Sequence, residues 1–437
     1  MFPPGRYHQG GTSMISLHRK FIATATLFFI IFLLPFKTYA TSATDNSLPL
    51  YVLESAASRE AIEQLPSSAI SAELAVLLAE PTTEEIALLS VNLDAVAEKN
   101  EVMSITLPDR QEVHFVKEQF KISSEGRPLW IGAPPSDRKR RFPSPGEVKM
   151  DPLDTLFIQR YPDHIRAEIR LAGQAYRLEP VGAGLHALIK VHQAQTTCEP
   201  VTNDTQAKAA PAPVKAGASH STITYLIVST DEARRTPLLE ERIANSLTFA
   251  QQFLDNSGVD ITFTQAGYYE ATYTERNKTK AQVFRDFRFS DTPIGKLVLA
   301  EREKAHADIV LVVAGLVDGT HYQESRKESA FAIVKANALA EEIIHQVGHV
   351  MGVDHTWKEG DIILDPPYQF AYLMPFAGGS NGTATLMGQY DTCGGCGIGM
   401  VFSNPRKTYM GHPMGTVEHN DAVRRLNEQR EKVESYY

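Results

Sequence analysis

The sequence predicts two folded regions of different class. An α/β domain with a twisted, mostly parallel sheet is expected over 222–437. An α+β domain rich in antiparallel strands is expected over 41–203. Three features carry this division. Apolar and polar residues alternate with a period of two between residues 112 and 178, as half-buried antiparallel strands do. A Pro/Ala-rich stretch over 204–221 has too few large apolar residues to build a core and reads as a linker. Beyond it, strongly apolar runs are interleaved with long helical segments.

Residues 1–40 read as a secretory signal peptide. The apolar run from Phe21 to Phe36 follows His18-Arg19-Lys20 and ends shortly before Ala40. It is shorter than the roughly 20 residues that span a bilayer, and Pro35 breaks it near its end. Cleavage after Ala40 removes four basic residues and no acidic one. The remainder carries 39 basic and 52 acidic residues, a net charge of −13 against −9 for the whole chain. That balance argues against nucleic acid as a partner. No later stretch resembles a membrane span, so no stable membrane association is expected once the leader is gone, and the expected location is extracytoplasmic. Oligomeric state has no signature in the sequence.

Within the first region, Ser71–Leu78 and Glu84–Leu89 suit short helices. Glu112–Ile122, Thr155–Arg160, Ile165–Leu171 and Ala175–Leu178 suit strands. The basic cluster from Asp137 to Arg141 reads as a solvated loop, with a proteolytic site as the alternative. In the second region Thr222–Thr230, Val259–Thr264, Ala305–Ala314 and Ser329–Val334 read as strands. Thr236 and Pro237 suit the start of a helix and Gly258 its stop. A second long helix is expected over Ala338–Met351.

That second helix carries the chemistry. His345 and His349 are four residues apart and leave one helix face a turn apart. Gly352 can end the helix in a left-handed conformation and return the chain, so that His355 joins the other two. Three neutral imidazoles and a water make the four-coordinate, open arrangement of catalytic zinc. The alternative is three unrelated histidines, which the added glycine and third histidine disfavour.

The segment H-Q-V-G-H-V-M-G-V-D-H resembles the metzincin zinc metallopeptidases, whose motif is H-E-x-x-H-x-x-G-x-x-H. The resemblance extends upstream to Arg127–Gly132, Gly173–Leu178 and Gly184–Leu188. Downstream it extends through Phe402–Pro405, Tyr409–Gly415 and Asn420–Ala422. These segments look like the precursors of bacterial reprolysin-like and peptidyl-Asp metallopeptidases. The resemblance implies a metzincin-like catalytic domain holding Zn2+ on His345, His349 and His355. It also implies a methionine turn at Met387, with Met374 the weaker choice, and a substrate peptide or protein bound in extended form along Ser329–Val334. Thr356 stands where reprolysins commonly carry Asp. At the general-base position the family has Glu and this chain has Gln346, whose amide cannot accept a proton near pH 7.

Cys393 and Cys396 read as a small-loop disulfide, because no second Cys/His pair is spaced for structural zinc. Cys198 is then unpaired. Family precedent implies a cysteine switch, a propeptide thiolate filling the open zinc position; an ordinary free thiol is the alternative. Asn203, Asn277 and Asn381 sit in glycosylation sequons. Two functions follow: a secreted zinc endopeptidase made as a zymogen, or a catalytically inactive relative that binds or inhibits peptides. A Glu-to-Gln change engineered to abolish activity would give the same sequence.

Overall fold

The computed structural model describes residues 47–54, 59–64, 66, 70–192, 199–200, 219–317, 320–321, 326–361, 363–378, 381–389 and 395–437. The leader, Cys198, Cys393, Asn203 and most of the linker lie outside them. Residues 44–437 form one compact unit. No helix among the described residues is long and apolar enough to cross a membrane.

The first region is a ten-stranded sheet made of β1 (Leu48–Pro49), β2 (Tyr51–Leu53), β3 (Thr83–Val91), β4 (Val102–Thr106), β5 (Glu112–Ile122), β6 (Pro128–Ala133), β7 (Thr155–Arg160), β8 (Ile165–Leu171), β9 (Gln174–Pro180) and β10 (Leu185–Val191). Their order is β1-β4-β5-β6-β7-β8-β9-β10-β3-β2, and every pairing except β1–β4 is antiparallel. The short segment 48–53 meets both ends of this order. Leu50 N–H donates to Ser104 O at 2.9 Å, and Leu50 O accepts from Asn92 N–H at 2.7 Å. The sheet therefore nearly closes into a barrel, which leaves little open edge. Its interior holds Met103, Phe115, Trp130, Ile158 and Ile169. Two short helices, α1 (Arg59–Glu63) and α2 (Ala72–Ala79), lie against β3, and α2 is capped by the Ser71 hydroxyl on Leu74 N–H.

One sequence expectation fails here and another holds only in part. Glu84–Leu89 is part of strand β3, not a helix. Its Glu, Ala and Leu residues favour helix weakly, but β3 is paired on both sides, with β10 and with β2, and that pairing overrides propensity. The cluster at 137–141 is solvated as expected at Asp137, Lys139, Arg140 and Arg141, but Arg138–Arg141 forms one helical turn, α3, and Arg138 is buried against Glu147 at 2.5 Å.

The second region contains β11 (Glu199–Pro200), β12 (Ser221–Ser229), β13 (Ile261–Glu270), β14 (Ile309–Ala314), β15 (Thr320–His321) and β16 (Phe331–Lys335). They form one six-stranded sheet ordered β11-β15-β16-β14-β12-β13. Pairings β12–β13, β12–β14 and β14–β16 are parallel, and β15–β16 is antiparallel. Helices α4 (Leu239–Ser257), α7 (Ala340–Val350) and α8 (Ala422–Glu434) pack with Ile223, Ile227 and Leu311 on one face. Helices α5 (Lys280–Arg288) and α6 (Pro293–Ala305) pack with Leu226, Val228 and Val312 on the other. Helix α4 starts later than Thr236-Pro237: Thr236 N–H closes a preceding 3₁₀ turn on Ala233 O, and the helix begins at Leu239. Gly258 ends it in the left-handed conformation, as its position implied.

Strand β16 is not a free edge. Ala332 and Ile333 pair with β15 on the side opposite β14, so Ser329–Val334 does not offer a backbone for strand addition. Beyond β16 lies β15, and the outermost strand is β11, which runs parallel along β15.

Inside the first region, His186 is fully buried and its Nε2 accepts from Ile165 N–H at 3.2 Å, which fixes a neutral ring protonated at Nδ1. Burial, reinforced by nearby His164, pushes its pKa down to about 4. A base depressed on folding contributes stability above its unfolded pKa near 6.5, and that contribution is lost as pH falls through 4. The expected loss is roughly 3 kcal/mol. Urea midpoints measured at pH 7 and pH 4 should fall less for His186→Gln than for the unaltered chain.

Candidate metal centre

The centre is built on α7. Its sequence places His345 and His349 one turn apart on a helix whose other residues, Ile343, Ile344, Val347 and Val350, are buried in the core. The helix ends as Gly352 predicts. At φ +81° Gly352 donates its N–H to His349 O at 2.8 Å, and Val353 N–H reaches Gly348 O at 2.9 Å. This pair of bonds is a Schellman stop, and the reversed chain delivers His355 from a short strand at Asp354–Thr356.

The three Nε2 atoms converge. They stand 3.1 Å apart for His345–His349, 2.9 Å for His349–His355 and 3.2 Å for His345–His355. Among the described residues these are the one group of His, Cys, Asp and Glu side chains arranged to hold a metal ion. Nitrogens bound tetrahedrally at 2.0–2.1 Å stand about 3.3 Å apart, so the donor set fits one zinc-sized ion. His349 Nδ1 lies 2.9 Å from Val353 O, and a carbonyl can only accept, so Nδ1 carries the proton and Nε2 its lone pair. Burial pushes His355 down to about 4, opposed by the Asp354 carboxylate, so this ring is neutral at pH 7, as a ligand must be. Asp354 accepts the His355 backbone N–H at 2.7 Å and stiffens the approach of the third ligand.

Met387 lies beneath the helix at φ +76°, fully buried. A Cβ on Gly348 would stand 2.5 Å from its Sδ, so glycine is required for the turn and the helix to meet. Met374 instead belongs to a separate apolar cluster with Val148, Val401 and Tyr409. Gln346 is only 2% exposed. Cys396 is disulfide-bonded; Cys393, its expected partner, and Cys198 lie outside the described residues. His192 and His220 are engaged elsewhere, with Glu84 and Thr262.

One contributor has no signal in the sequence. Leu339, at the N-cap of α7, has no side-chain acceptor. Glu342 reaches back to Leu339 N–H at 2.9 Å, but the reciprocal acceptor comes from strand β8. There Glu168 meets Ala340 N–H at 3.2 and 3.3 Å.

No protein-family model matches the chain. Two curated proteins, both named peptidyl-Asp metalloendopeptidase, align with it over most of its length. The one from Xanthomonas campestris pv. campestris is 27% identical over 411 residues, covering 89% of this chain and 93% of that protein. The one from Stenotrophomonas maltophilia strain R551-3 is 27% identical over 417 residues with the same coverage. This chain is a relative of the peptidyl-Asp metalloendopeptidases. The similarity runs through both regions, and the three histidines that could hold a metal ion accompany it. Solved structures superpose only loosely and carry no argument. A chaperone-substrate complex gives a TM-score of 0.40 at 17% identity, over 64% of this chain and 39% of that one. Metalloproteinase-II from Bacteroides fragilis gives 0.32 at 11%, over 60% and 83%. Archaemetzincin from Methanopyrus kandleri gives 0.21 at 18%, over 32% and 78%.

Two outcomes test this geometry. His349→Ala should bring zinc content, measured by plasma emission, to background after dialysis, while His220→Ala should leave it unchanged. Gly348→Ala should lower thermal stability by roughly 1–3 kcal/mol through the collision with Met387, and Gly348→Ala combined with Met387→Ala should recover part of that loss.

Proposed function

We propose that the chain is the precursor of a secreted zinc endopeptidase, with 1–40 as signal, 41–203 as propeptide-like region, 204–221 as linker and 222–437 as catalytic domain. The observation that carries this reading is the convergence of three Nε2 atoms, two on a helix stopped at Gly352 and one just beyond it, in a chain similar over 89% of its length to a metalloendopeptidase. The relatives' name points to peptide bonds beside aspartate, and we extend that substrate class to this chain. When bound, zinc supplies a Lewis acid for the scissile carbonyl and lowers the pKa of a coordinated water toward about 7. His345, His349 and His355 would hold the ion, His349 fully buried and the other two part-exposed. An extended substrate adds along β15, the outermost strand of the catalytic domain itself, where β11 now runs. In this reading β11 and Cys198 just before it keep the cleft closed until the linker is cut.

Gln346 stands at the proton-transfer position. Its amide can orient a water by hydrogen bonding but cannot take the proton. The expected cost is roughly 10²- to 10⁴-fold in rate. This residue also favours a second reading, in which the chain retains metal and groove but captures peptides without cleaving them.

Hydrolysis of an aspartate-containing peptide by the linker-cut protein, beside its Gln346→Glu variant and with zinc quantified in both, separates the two. A gain of about 10²- to 10⁴-fold with unchanged zinc is expected if residue 346 is the missing base. Equal, measurable rates would remove that role from residue 346. Zinc-loaded Gln346→Glu protein that binds the peptide but does not cut it would replace the endopeptidase reading with the binding one.

A further inference from the structure

A propeptide that is discarded after cleavage should meet its catalytic domain through a modest, separable interface. The barrel of residues 47–192 does not. It shares a continuous apolar core with the second region: Leu129, Ile131, Met150 and Phe157 lie in one buried cluster with Ile243, Phe249 and Phe253 of α4. The Phe157 ring stands 5.5 Å from Phe249 and 5.6 Å from Phe253. Leu339, at the start of the metal-bearing helix, is buried in the opposite direction, among Ile62, Leu74, Leu77 and Ile189 of the first region. Each region fills space in the core of the other.

The polar contacts are equally interleaved. Arg177 donates to Asn337 O at 2.8 Å and to Glu80 at 2.5 Å, and Arg242 of α4 reaches the same Glu80 at 3.3 Å. Arg166 donates to Glu241 of α4 at 2.7 Å and pairs with Glu179. Arg170 pairs with Glu341 on the first turn of α7. Arg166, Arg170, Arg177, Glu168 and Glu179 are all less than a tenth exposed, and a buried charge left without its partner is costly. Backbone bonds cross as well. Val148 N–H donates to Thr408 O at 3.0 Å, Thr408 N–H to Gly146 O at 2.8 Å and Met400 N–H to Pro152 O at 2.8 Å. Separation would expose two apolar faces, strand-like backbone groups and a cluster of arginines and glutamates at once.

We infer that the barrel is a resident partner of the second region: it stays bound after the linker is cut, and through Glu168 it caps the helix that presents His345 and His349. Glu168 is a positioning residue, because it acts on the metal ligands through Ala340 N–H and the first turn of α7. The inference goes beyond the proposed activity and stands whether or not residue 346 supports turnover.

The test uses the full chain with a specific protease site placed within 204–218. After complete cutting, the two fragments should co-elute in gel filtration at pH 7.5, in both 0.1 M and 1 M NaCl, at the volume of the uncut chain. They should part only in denaturant. Fragments that elute separately at neutral pH would overturn the inference. The capping role has its own measurement, zinc affinity by competition with a chelating dye. Glu168→Ala should weaken zinc binding about five- to tenfold, the stability that a helix cap usually contributes being carried into the metal site. Glu168→Gln, whose amide oxygen still accepts Ala340 N–H, should stay near the unaltered value. Equal affinity in all three proteins, or equal loss in both variants, would remove the capping role while the co-elution result decides the partnership.

Discussion

Three imidazole Nε2 atoms stand 2.9 to 3.2 Å from one another, close enough to share one ion. The rest of the structure follows from holding them there. Two of the rings ride on a single helix, so their spacing is a property of the α-helix itself. The third depends on a left-handed stop at Gly352 and on two backbone bonds that turn the chain within three residues. Met387 fills the space under Gly348, and the parallel sheet buries the apolar side of α7. Preorganisation of this kind lets a metal bind without paying to order its ligands.

The helix is anchored from outside its own region. Glu341 and Glu342 suit its first turn, but its N-cap is a leucine, a poor choice for a free helix end. That oddity resolves at the barrel: Leu339 is packed into the first region's apolar cluster, Glu341 meets Arg170, and Glu168 takes the Ala340 N–H. The metal-bearing helix and the barrel strands thereby share buried contacts.

The local features of the centre were legible in the sequence because they are local. The i,i+4 histidines, the glycine stop and the third histidine occupy eleven consecutive residues, and the backbone rules that bring them together act over one turn of helix. Met387 could be read from its resemblance to the methionine turn, although Gly348 explains physically why that methionine fits. What failed was governed by partners distant in the chain. Residues 84–89 look helical until β10 pairs along them and β2 takes up the strand from Leu89 onward. Ser329–Val334 looks like an edge until β15 covers it. Arg138 looks like part of a solvated basic loop until Glu147 folds over it. The cap from Glu168 lies 172 positions from Ala340, and no local pattern announces it.

If His345, His349 and His355 together bind one zinc ion, X-ray absorption at the zinc edge of the purified full chain should show one zinc per chain, with three imidazole nitrogens at 2.0–2.1 Å around it, and that shell should be lost in His349→Ala. Protein that binds no zinc, or zinc whose scattering lacks three imidazoles, would rule out the three-histidine centre.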